Sequence, residues 1–320
     1  MNEIAKRIIS ELISRDGRST FRIAFLPYKY SMWDSMQSVY EEAQNAGLYA
    51  RIYPIPYFTK ADGQVHDESR YFKLSRLFDN WDMESFKPDY VVIHNPYDDH
   101  NRITEVYPYY NSKNLKERGY QLVYIPYSSM MKYQNFVAQT GVINSDYIVV
   151  QDQEEANLYR DVWLRKVKLD ISDRLIIAGG HPKQDIAQRT PEEIILPKEW
   201  LEHGIFKRPI AAVFGGLTSL LADPTNVLQV YRDVIFGEML NDMCVIFRPH
   251  PLTADGFKSM LPDAVFLWDT FLDDIKDKCI VDNSPYLYRA IYICERAYAD
   301  RGSVQDLLRW AGKEYIEIKG

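Results

Sequence analysis

Short apolar runs alternate with longer amphipathic segments along most of the chain. The first series of apolar runs lies at 21–26, 49–55, 90–94, 121–125 and 146–151. None of these runs alternates between apolar and polar positions, which is typical of parallel strands covered by helices on both faces. The segments 31–47 and 152–167 have helical spacing. The first half of the chain is therefore predicted to be an α/β module.

A second series of the same kind follows. Its predicted strands are 174–179, 210–216, 243–247, 264–268, 279–282 and 314–318, and its predicted helices are 223–240, 285–297 and 303–312. Strands and helices in alternation indicate two successive doubly wound modules of the α/β class. We expect a boundary near 168–173, so that residues 1–170 and 171–320 form two Rossmann-like domains.

The first seventeen residues form a predicted amphipathic helix with Ile4, Ile8 and Leu12 on one face. Two interpretations of this helix are open. The apolar face can pack against the rest of the protein, or it can lie on a membrane surface with Arg7 and Arg15 beside it.

Composition narrows the class of protein. The 320 residues are 46% hydrophobic and 26% charged, with a formal net charge of −7, which describes a globular protein and argues against a general nucleic-acid binder. Cys244, Cys279 and Cys294 lack metal-type spacing and are predicted to be reduced core residues of a cytoplasmic protein. No His/Asp/Glu cluster has ligand spacing, so no metal is expected.

Tyrosine is unusually frequent, with 24 copies. Many of them stand in the first half, in "LPYKY", "IYPIPYF", "VYPYYNS" and "VYIPYSS", where Pro-Tyr follows predicted strands. An apolar ring with a polar tip suits a packed sheet edge and a polyol-binding cleft equally well.

The strand at 243–247 ends abruptly in Arg248-Pro249-His250-Pro251. Because proline fixes φ and restricts the residue before it, this exit is stiff and holds both polar side chains at the carboxyl end of the strand. Ligands of open α/β sheets bind at that edge. The alternative is a rigid corner with a surface histidine.

Polar groups follow three other predicted strands of the second series. The candidate binding residues are Gly180, His181, Lys183, Gly216, Thr218, Ser219, Arg248, His250, Asp282, Asn283 and Ser284. Ser284 is a predicted N-cap, and the free amides of the helix that follows it would favour an anion. Together these residues predict a diphosphate site on one edge of the second module.

The segments "GHPKQD" (180–185), "RPHP" (248–251) and "VDNSPYLY" (281–288) resemble the nucleotide-binding half of the CDP-glycerol glycerophosphotransferase family of teichoic acid and capsule synthesis. The resemblance extends from about residue 21 to 295. It implies a GT-B fold, in which two Rossmann-like domains face a cleft, with residues 1–170 as the acceptor domain and residues 171–320 as the nucleotide-donor domain.

The resemblance also implies roles for individual residues. Arg248 and His250 would contact the donor diphosphate, and Asp282, Asn283 and Ser284 would line the phosphate and glycerol region. His181, Pro182, Lys183 and Asp185 match a family segment of the Gly-x-Pro-Arg-x-Asp type, in which arginine stands at the lysine position. His250 can donate a hydrogen bond to the leaving phosphate, which makes it a catalytic candidate.

The family's Trp-His-Gly-Thr segment, whose histidine is the proposed base, has no counterpart here. The corresponding strand end reads "VYIPYSS" (123–129) and lacks histidine. "IHNPYDDH" (93–100) also follows a strand, so our hypothesis is that His94 or Asp98 is the general base. The alternative is that His94 is a core histidine bonded to the backbone and that Asp98 caps a turn.

Three functional hypotheses result. The first is a transferase that moves glycerol phosphate, or a related polyol phosphate, from CDP-glycerol or another nucleotide-diphosphate donor to a glycan, polyol or lipid-linked acceptor. The second is a UDP-sugar glycosyltransferase or 2-epimerase, and the third is a non-catalytic GT-B-like binding partner. No tightly bound cofactor is expected. A lipid-linked acceptor would bring the protein to the inner face of the membrane.

Overall fold

The computed structural model describes residues 2–72, 80–98, 100–129, 136–189, 194–202 and 204–319. The chain divides into two compact units, residues 1–186 and 187–320. Within the described ranges, each unit is built on a parallel sheet that is covered by helices. The predicted α/β class with two doubly wound modules is confirmed.

The first unit contains a parallel sheet and a small antiparallel one. Its strands are β1 (Arg22–Leu26), β2 (Tyr49–Ile52), β3 (Tyr57–Thr59), β4 (Val65–His66), β5 (Tyr90–Ile93), β6 (Thr104–Val106), β7 (Gln121–Tyr124), β8 (Tyr147–Val150) and β9 (Leu175–Ile177). The parallel sheet has the order β2-β1-β5-β7-β8-β9, and the antiparallel sheet has the order β4-β3-β6. Strand order reverses between β1 and β5, which makes that point the topological switch of the parallel sheet.

Helices cover both faces of this parallel sheet. They are α1 (Glu3–Asp16), α2 (Gln37–Asn45), α3 (Asn80–Phe86), α4 (Ser112–Glu117), α5 (Thr140–Ile143), α6 (Gln153–Lys166) and α7 (Pro182–Ala187). The central strand β5 is buried along its whole length, and apolar clusters lie on each side of the sheet. This explains why the strand shows no alternation in sequence.

Helix α1 packs against the first unit. Ile4, Ile8 and Leu12 are buried in one of the two apolar clusters, so the packing interpretation of this helix is confirmed. The Asp185 carboxylate accepts the backbone N–H of Ala5 over 2.9 Å. At the other end, Arg15 donates to the carbonyl oxygens of Asp173 and Leu175 beside the edge strand β9.

The second unit has a parallel sheet of its own. Its elements are α8 (Lys198–Glu202), β10 (Ile210–Phe214), α9 (Leu217–Ala222), α10 (Pro224–Leu240), β11 (Cys244–Arg248), α11 (Thr253–Met260), α12 (Val265–Ile275), β12 (Ile280–Val281), α13 (Leu287–Ile293), β13 (Arg296–Ala299), α14 (Ser303–Trp310) and β14 (Tyr315–Glu317). The strand order is β12-β11-β10-β13-β14, so the topological switch lies between β10 and β13.

Two predictions about the second series are wrong. Residues 174–179 were expected to open the second module, but β9 pairs in parallel with β8 and completes the first sheet. The boundary therefore lies at 186/187 and not near 170. Residues 264–268 were expected to be a strand, but they belong to helix α12, which buries Trp268, Phe271 and Ile275 at helical spacing.

No helix in the described ranges is both long enough and apolar enough to span a membrane.

Candidate functional site

The polar strand ends of the second unit lie at the carboxyl edge of one parallel sheet. Gly216 follows β10, Arg248 ends β11 and Asp282 follows β12, and these three strands are neighbours. Because the strands are parallel, their carboxyl ends meet at the same edge. The predicted grouping of this part of the site is therefore found.

Arg248 is buried at this edge and bonded to other residues of the second unit. It is 4% exposed, forms an ion pair with Asp282 and donates to the Ser284 carbonyl oxygen over 2.7 Å. Burial lowers the pKa of the guanidinium, and the Asp282 charge opposes that shift. Arg248 thus fastens the loop after β12 to β11, and its contact with a donor diphosphate stays a prediction.

The loop after β12 also differs from the prediction. Helix α13 begins at Leu287 with Tyr286 before it, so Ser284 is not its N-cap. The Ser284 hydroxyl oxygen accepts the Tyr286 N–H over 3.4 Å, and its own N–H donates to Asp282 over 3.0 Å. Asn283 is exposed. Asp282 and Ser284 thus shape a tight turn, and Asn283 is the member of this group that faces solvent.

His250 is half-buried in the Arg-Pro-His-Pro segment. Its Nδ1 accepts the backbone N–H of Leu252 over 3.1 Å, and its carbonyl oxygen accepts the N–H of Thr253. A neutral ring whose Nδ1 accepts carries its proton on Nε2. His250 is therefore oriented as an Nε2–H donor at the carboxyl end of β11.

Asp300 organises the loop after β10. Its carboxylate accepts the Gly216 N–H over 2.8 Å and the Ser219 hydroxyl over 2.6 Å, and it also accepts the Tyr231 hydroxyl. A Cβ at Gly216 would lie 2.7 Å from the Asp300 side chain. Gly216 and Ser219 therefore hold the loop closed, whereas Thr218 is exposed.

The prediction missed the polar segment Asp300–Ser303, which follows β13. Arg301 is exposed and has no ion-pair partner among the described residues, Gly302 is extended, and α14 begins at Ser303. This segment lies at the switch between β10 and β13, next to the first free amides of a helix. The signal was "ADRGS" after a short apolar run, and it was hidden because the preceding helix was predicted to continue to residue 297.

Gly180, His181 and Lys183 follow β9 and belong to the first unit, not to the nucleotide-binding module as predicted. The His181 Nδ1 accepts the Lys183 N–H over 3.2 Å, so its Nε2–H donates to the Pro126 carbonyl oxygen over 2.9 Å. Burial, with a smaller effect of the Lys183 charge, lowers the pKa of His181 to about 3. His181 is a neutral core histidine.

Lys183 is also buried, and its Nζ lies 3.0 Å from the Asp34 carboxylate. A Cβ at Gly180 would lie 2.6 Å from the Ile4 side chain, so Gly180 allows the close approach of α1. These two residues serve the packing of the first unit.

His94 is fully buried at the end of β5. Its Nε2 accepts the Tyr28 N–H over 3.3 Å, and its Nδ1 lies 3.2 Å from the Ser35 hydroxyl oxygen. Burial, with a smaller effect of the Lys183 charge, lowers the pKa of His94 to about 3. Both ring nitrogens are thus bonded to the chain, which favours the core-histidine alternative over a role as general base.

Asp98 is likewise buried and bonded to the chain. It is 4% exposed, and it accepts the Ser112 N–H over 3.0 Å and the Ser112 hydroxyl over 2.6 Å. These contacts favour the alternative that Asp98 caps a turn over a role as general base.

Across the part of the chain that the structure describes, no three His, Cys, Asp or Glu side chains are grouped so as to hold a metal ion.

Solved structures resemble this chain across most of its length. The co-structure of S. aureus MnaA with UDP has a TM-score of 0.59 at 10% identity, and the match covers 94% of this chain and 80% of that one. UDP-GlcNAc 2-epimerase from Neisseria meningitidis, bound to UDP-GlcNAc, has a TM-score of 0.56 at 10% identity, covering 94% and 82%. This chain has the GT-B fold.

The wall teichoic acid polymerase TagF matches with a TM-score of 0.42 at 11% identity, covering 97% of this chain and 74% of that one. That similarity is too low to support membership of the CDP-glycerol family, which stays a prediction. No protein-family model matches the sequence, and no curated protein matches it.

Proposed function

We propose that the chain is an enzyme that acts on a nucleotide-diphosphate-activated sugar, with UDP-sugar as the preferred donor. The proposed diphosphate site is the carboxyl edge of the second sheet at the β10/β13 switch. The observation that carries this proposal is the segment Arg301–Ser303, which brings an exposed cation and the start of α14 to that switch.

These groups suit a departing diphosphate. Glycosyl transfer and 2-epimerisation both break the bond between sugar C1 and the diphosphate oxygen, so negative charge develops on the leaving group. Arg301 can form charge-assisted hydrogen bonds to phosphate oxygens, and the first amides of α14 add the positive end of the helix dipole. The Nε2–H of His250, on the same sheet edge, is a further donor.

Two observations favour a UDP-sugar over CDP-glycerol. Three of the residues on which the CDP-glycerol hypothesis depended have other contacts: Arg248 is paired with Asp282, and His181 and Lys183 belong to the first unit. In addition, the structures with TM-scores above 0.5 that we compare were determined with UDP and UDP-GlcNAc.

The CDP-glycerol transferase is the second candidate, favoured by the Arg-Pro-His-Pro segment at 248–251. The two candidates differ in the bond that breaks. Transfer of glycerol phosphate breaks the phosphoanhydride and releases CMP, whereas transfer from a UDP-sugar breaks the C1–O bond and releases UDP. In 2-epimerisation the C1–O bond breaks and re-forms, so the product is again a UDP-sugar.

Calorimetric titration of the purified chain with UDP, CDP and GDP tests the site. We expect UDP to bind most tightly and Arg301→Ala to weaken it about tenfold or more, because a hydrogen bond to a charged group is lost. Arg309→Ala is the matched control, since Arg309 is an exposed arginine at the other end of the same helix. It should leave the affinity unchanged.

The products separate the candidates. Release of CMP from CDP-glycerol would establish the second candidate and overturn the first. If none of the three nucleotides binds, the enzyme proposal is wrong and the non-catalytic binding partner becomes the hypothesis to pursue.

A further inference from the structure

Pro-Tyr pairs follow four adjacent strands of the first parallel sheet. Tyr28 comes after β1, Tyr57 after β2, Tyr97 after β5 and Tyr127 after β7, each directly preceded by proline. Tyr28, Tyr97 and Tyr127 thus lie at the carboxyl ends of the neighbouring strands β1, β5 and β7, and Tyr57, which opens β3, packs against Tyr28. The nucleotide site proposed above does not use them.

Buried residues form hydrogen bonds to the backbone of these Pro-Tyr pairs. His94 accepts the N–H of Tyr28, and His181 donates to the carbonyl oxygen of Pro126. The carbonyl oxygen of Pro96 accepts the Gly141 N–H over 2.8 Å, where a Cβ on the glycine would lie 2.7 Å from the Asn95 carbonyl oxygen. The backbone before each of these tyrosines is therefore held rigidly, as preorganised binding residues require.

The four tyrosines form an inner and an outer pair. Tyr28 and Tyr57 are buried, with ring centroids 5.5 Å apart. Tyr97 and Tyr127 are half-buried, with ring centroids 6.4 Å apart and hydroxyl oxygens 3.1 Å apart. Burial raises the pKa of both outer phenols, so both keep their protons at neutral pH.

Tyr124 lies near the outer pair, and Tyr159 lies near Tyr124. Tyr124 and Tyr159 are fully buried, and within the described part of the chain neither hydroxyl has a hydrogen-bond partner. Tyr124 is near enough to Tyr97, Tyr127 and Tyr159 for their hydroxyls to raise its pKa, after the larger effect of burial. Buried hydroxyls without partners cost free energy, which a hydroxyl-bearing ligand that reached them would recover.

Two buried lysines of the first unit already have partners. Lys183 is paired with Asp34, and Lys29 is buried with its Nζ 4.6 Å from the centre of the Tyr57 ring. An anionic ligand would need exposed cations, whereas this edge offers phenol hydroxyls and aromatic faces. That chemistry matches the C–H faces and hydroxyls of an uncharged sugar or polyol.

We propose that Tyr97 and Tyr127 form a second ligand site, in the first unit, for an uncharged saccharide or polyol. This site is independent of the proposed nucleotide site, and its test uses no nucleotide.

Saturation-transfer NMR on the full chain tests the site without any nucleotide. The probes are a panel of glucose, galactose, N-acetylglucosamine, N-acetylmannosamine, glycerol and ribitol, with glucose 6-phosphate as the charged comparison. We expect at least one uncharged probe to bind, glucose 6-phosphate not to bind, and Tyr97→Phe/Tyr127→Phe to weaken the uncharged probe about tenfold as the hydroxyls are lost.

Tyr49→Phe is the matched control, because Tyr49 is an exposed tyrosine at the amino end of β2 in the same unit. Each single Tyr→Phe variant is measured as well, so that the result does not depend on the fold of the double variant. Binding of glucose 6-phosphate alone, binding that the variants leave unchanged, or no binding by the panel would overturn the proposal. UDP titration in the same samples reads the second unit separately.

Discussion

At the scale of single residues, two buried carboxylates set the shape of the proposed nucleotide site. Asp300 gathers the Gly216 amide and the Ser219 hydroxyl, and Asp282 pairs with Arg248. A carboxylate accepts several hydrogen bonds at once, so each one can hold two strand ends together. The exposed groups Thr218, Asn283 and Arg301 are then carried on loops of fixed shape.

Gly216→Ala tests the part played by Asp300. The added methyl group would lie 2.7 Å from the Asp300 side chain, so we expect a loss of about 1–3 kcal/mol in the free energy of unfolding, as for other overpacked sites. Urea denaturation measures it. Gly237→Ala is the control, since Gly237 lies inside α10 and an added Cβ there would meet no atom within 4 Å beyond its chain neighbours and the backbone of its own helix. It should stabilise the protein by about 0.5–1 kcal/mol. Equal effects of the two substitutions would contradict the argument.

At the scale of elements, the predicted fold held where apolar runs are long and unbroken. Strands β5, β10 and β11 are buried throughout, and each was predicted within one or two residues. The errors in secondary structure occurred where a short apolar run is compatible with both a strand and a helix. "AVFLW" (264–268) reads as a strand by itself, but Phe271 and Ile275 continue it at helical spacing.

The site was predictable to a similar extent. Glycines, hydroxyls and His250 were found because polar residues after an apolar strand are visible in a sequence. The partners of Arg248 and His181 were not, because burial depends on contacts distant in the chain, such as Arg248 with Asp282 and His181 with Pro126. The sequence alone does not distinguish a histidine or arginine that binds a ligand from one that binds a backbone carbonyl.

Substitution of Asp185 tests whether its carboxylate stabilises the start of helix α1. Its carboxylate accepts the amides of Ile4 and Ala5, which a helix start leaves without intrahelical partners. We expect Asp185→Ala to cost about 1–2 kcal/mol, the loss typical of a helix cap, and to speed hydrogen–deuterium exchange in residues 3–8. Asp173→Ala, at an exposed position of the same unit, should change neither quantity. Unchanged exchange in α1 would show that its apolar packing alone holds it.

At the scale of the whole molecule, two buried histidines make the first unit sensitive to acid. His94 and His181 are buried neutral in the first unit, each with a pKa of about 3 against an ordinary value of 6.5. The unfolded chain therefore binds these protons first as the pH falls. The stability of the first unit should decline from about pH 6.5 and go on declining until the pH reaches about 3.

His181→Gln isolates one of these protons. The glutamine amide can still donate to the Pro126 carbonyl oxygen but does not titrate, so the slope of the unfolding free energy between pH 6 and pH 5 should fall by about 1 kcal/mol per pH unit. Hydrogen exchange in peptides from β5 and β7, corrected for the intrinsic rate, reports this slope for the first unit. His100→Gln, at an exposed position, is the control. An unchanged slope in His181→Gln would mean that His181 does not titrate on unfolding.

The contact between α1 and Asp185 spans 180 residues of sequence. At ribosomal rates of about 5–20 residues per second, roughly ten to forty seconds separate the synthesis of its two partners. During that interval the apolar face of α1 has neither Asp185 nor the edge strand β9 beside it. Helix α1 thus acquires Asp185 and β9 as neighbours long after its own synthesis, and until then α2 is the helix that can cover its apolar face.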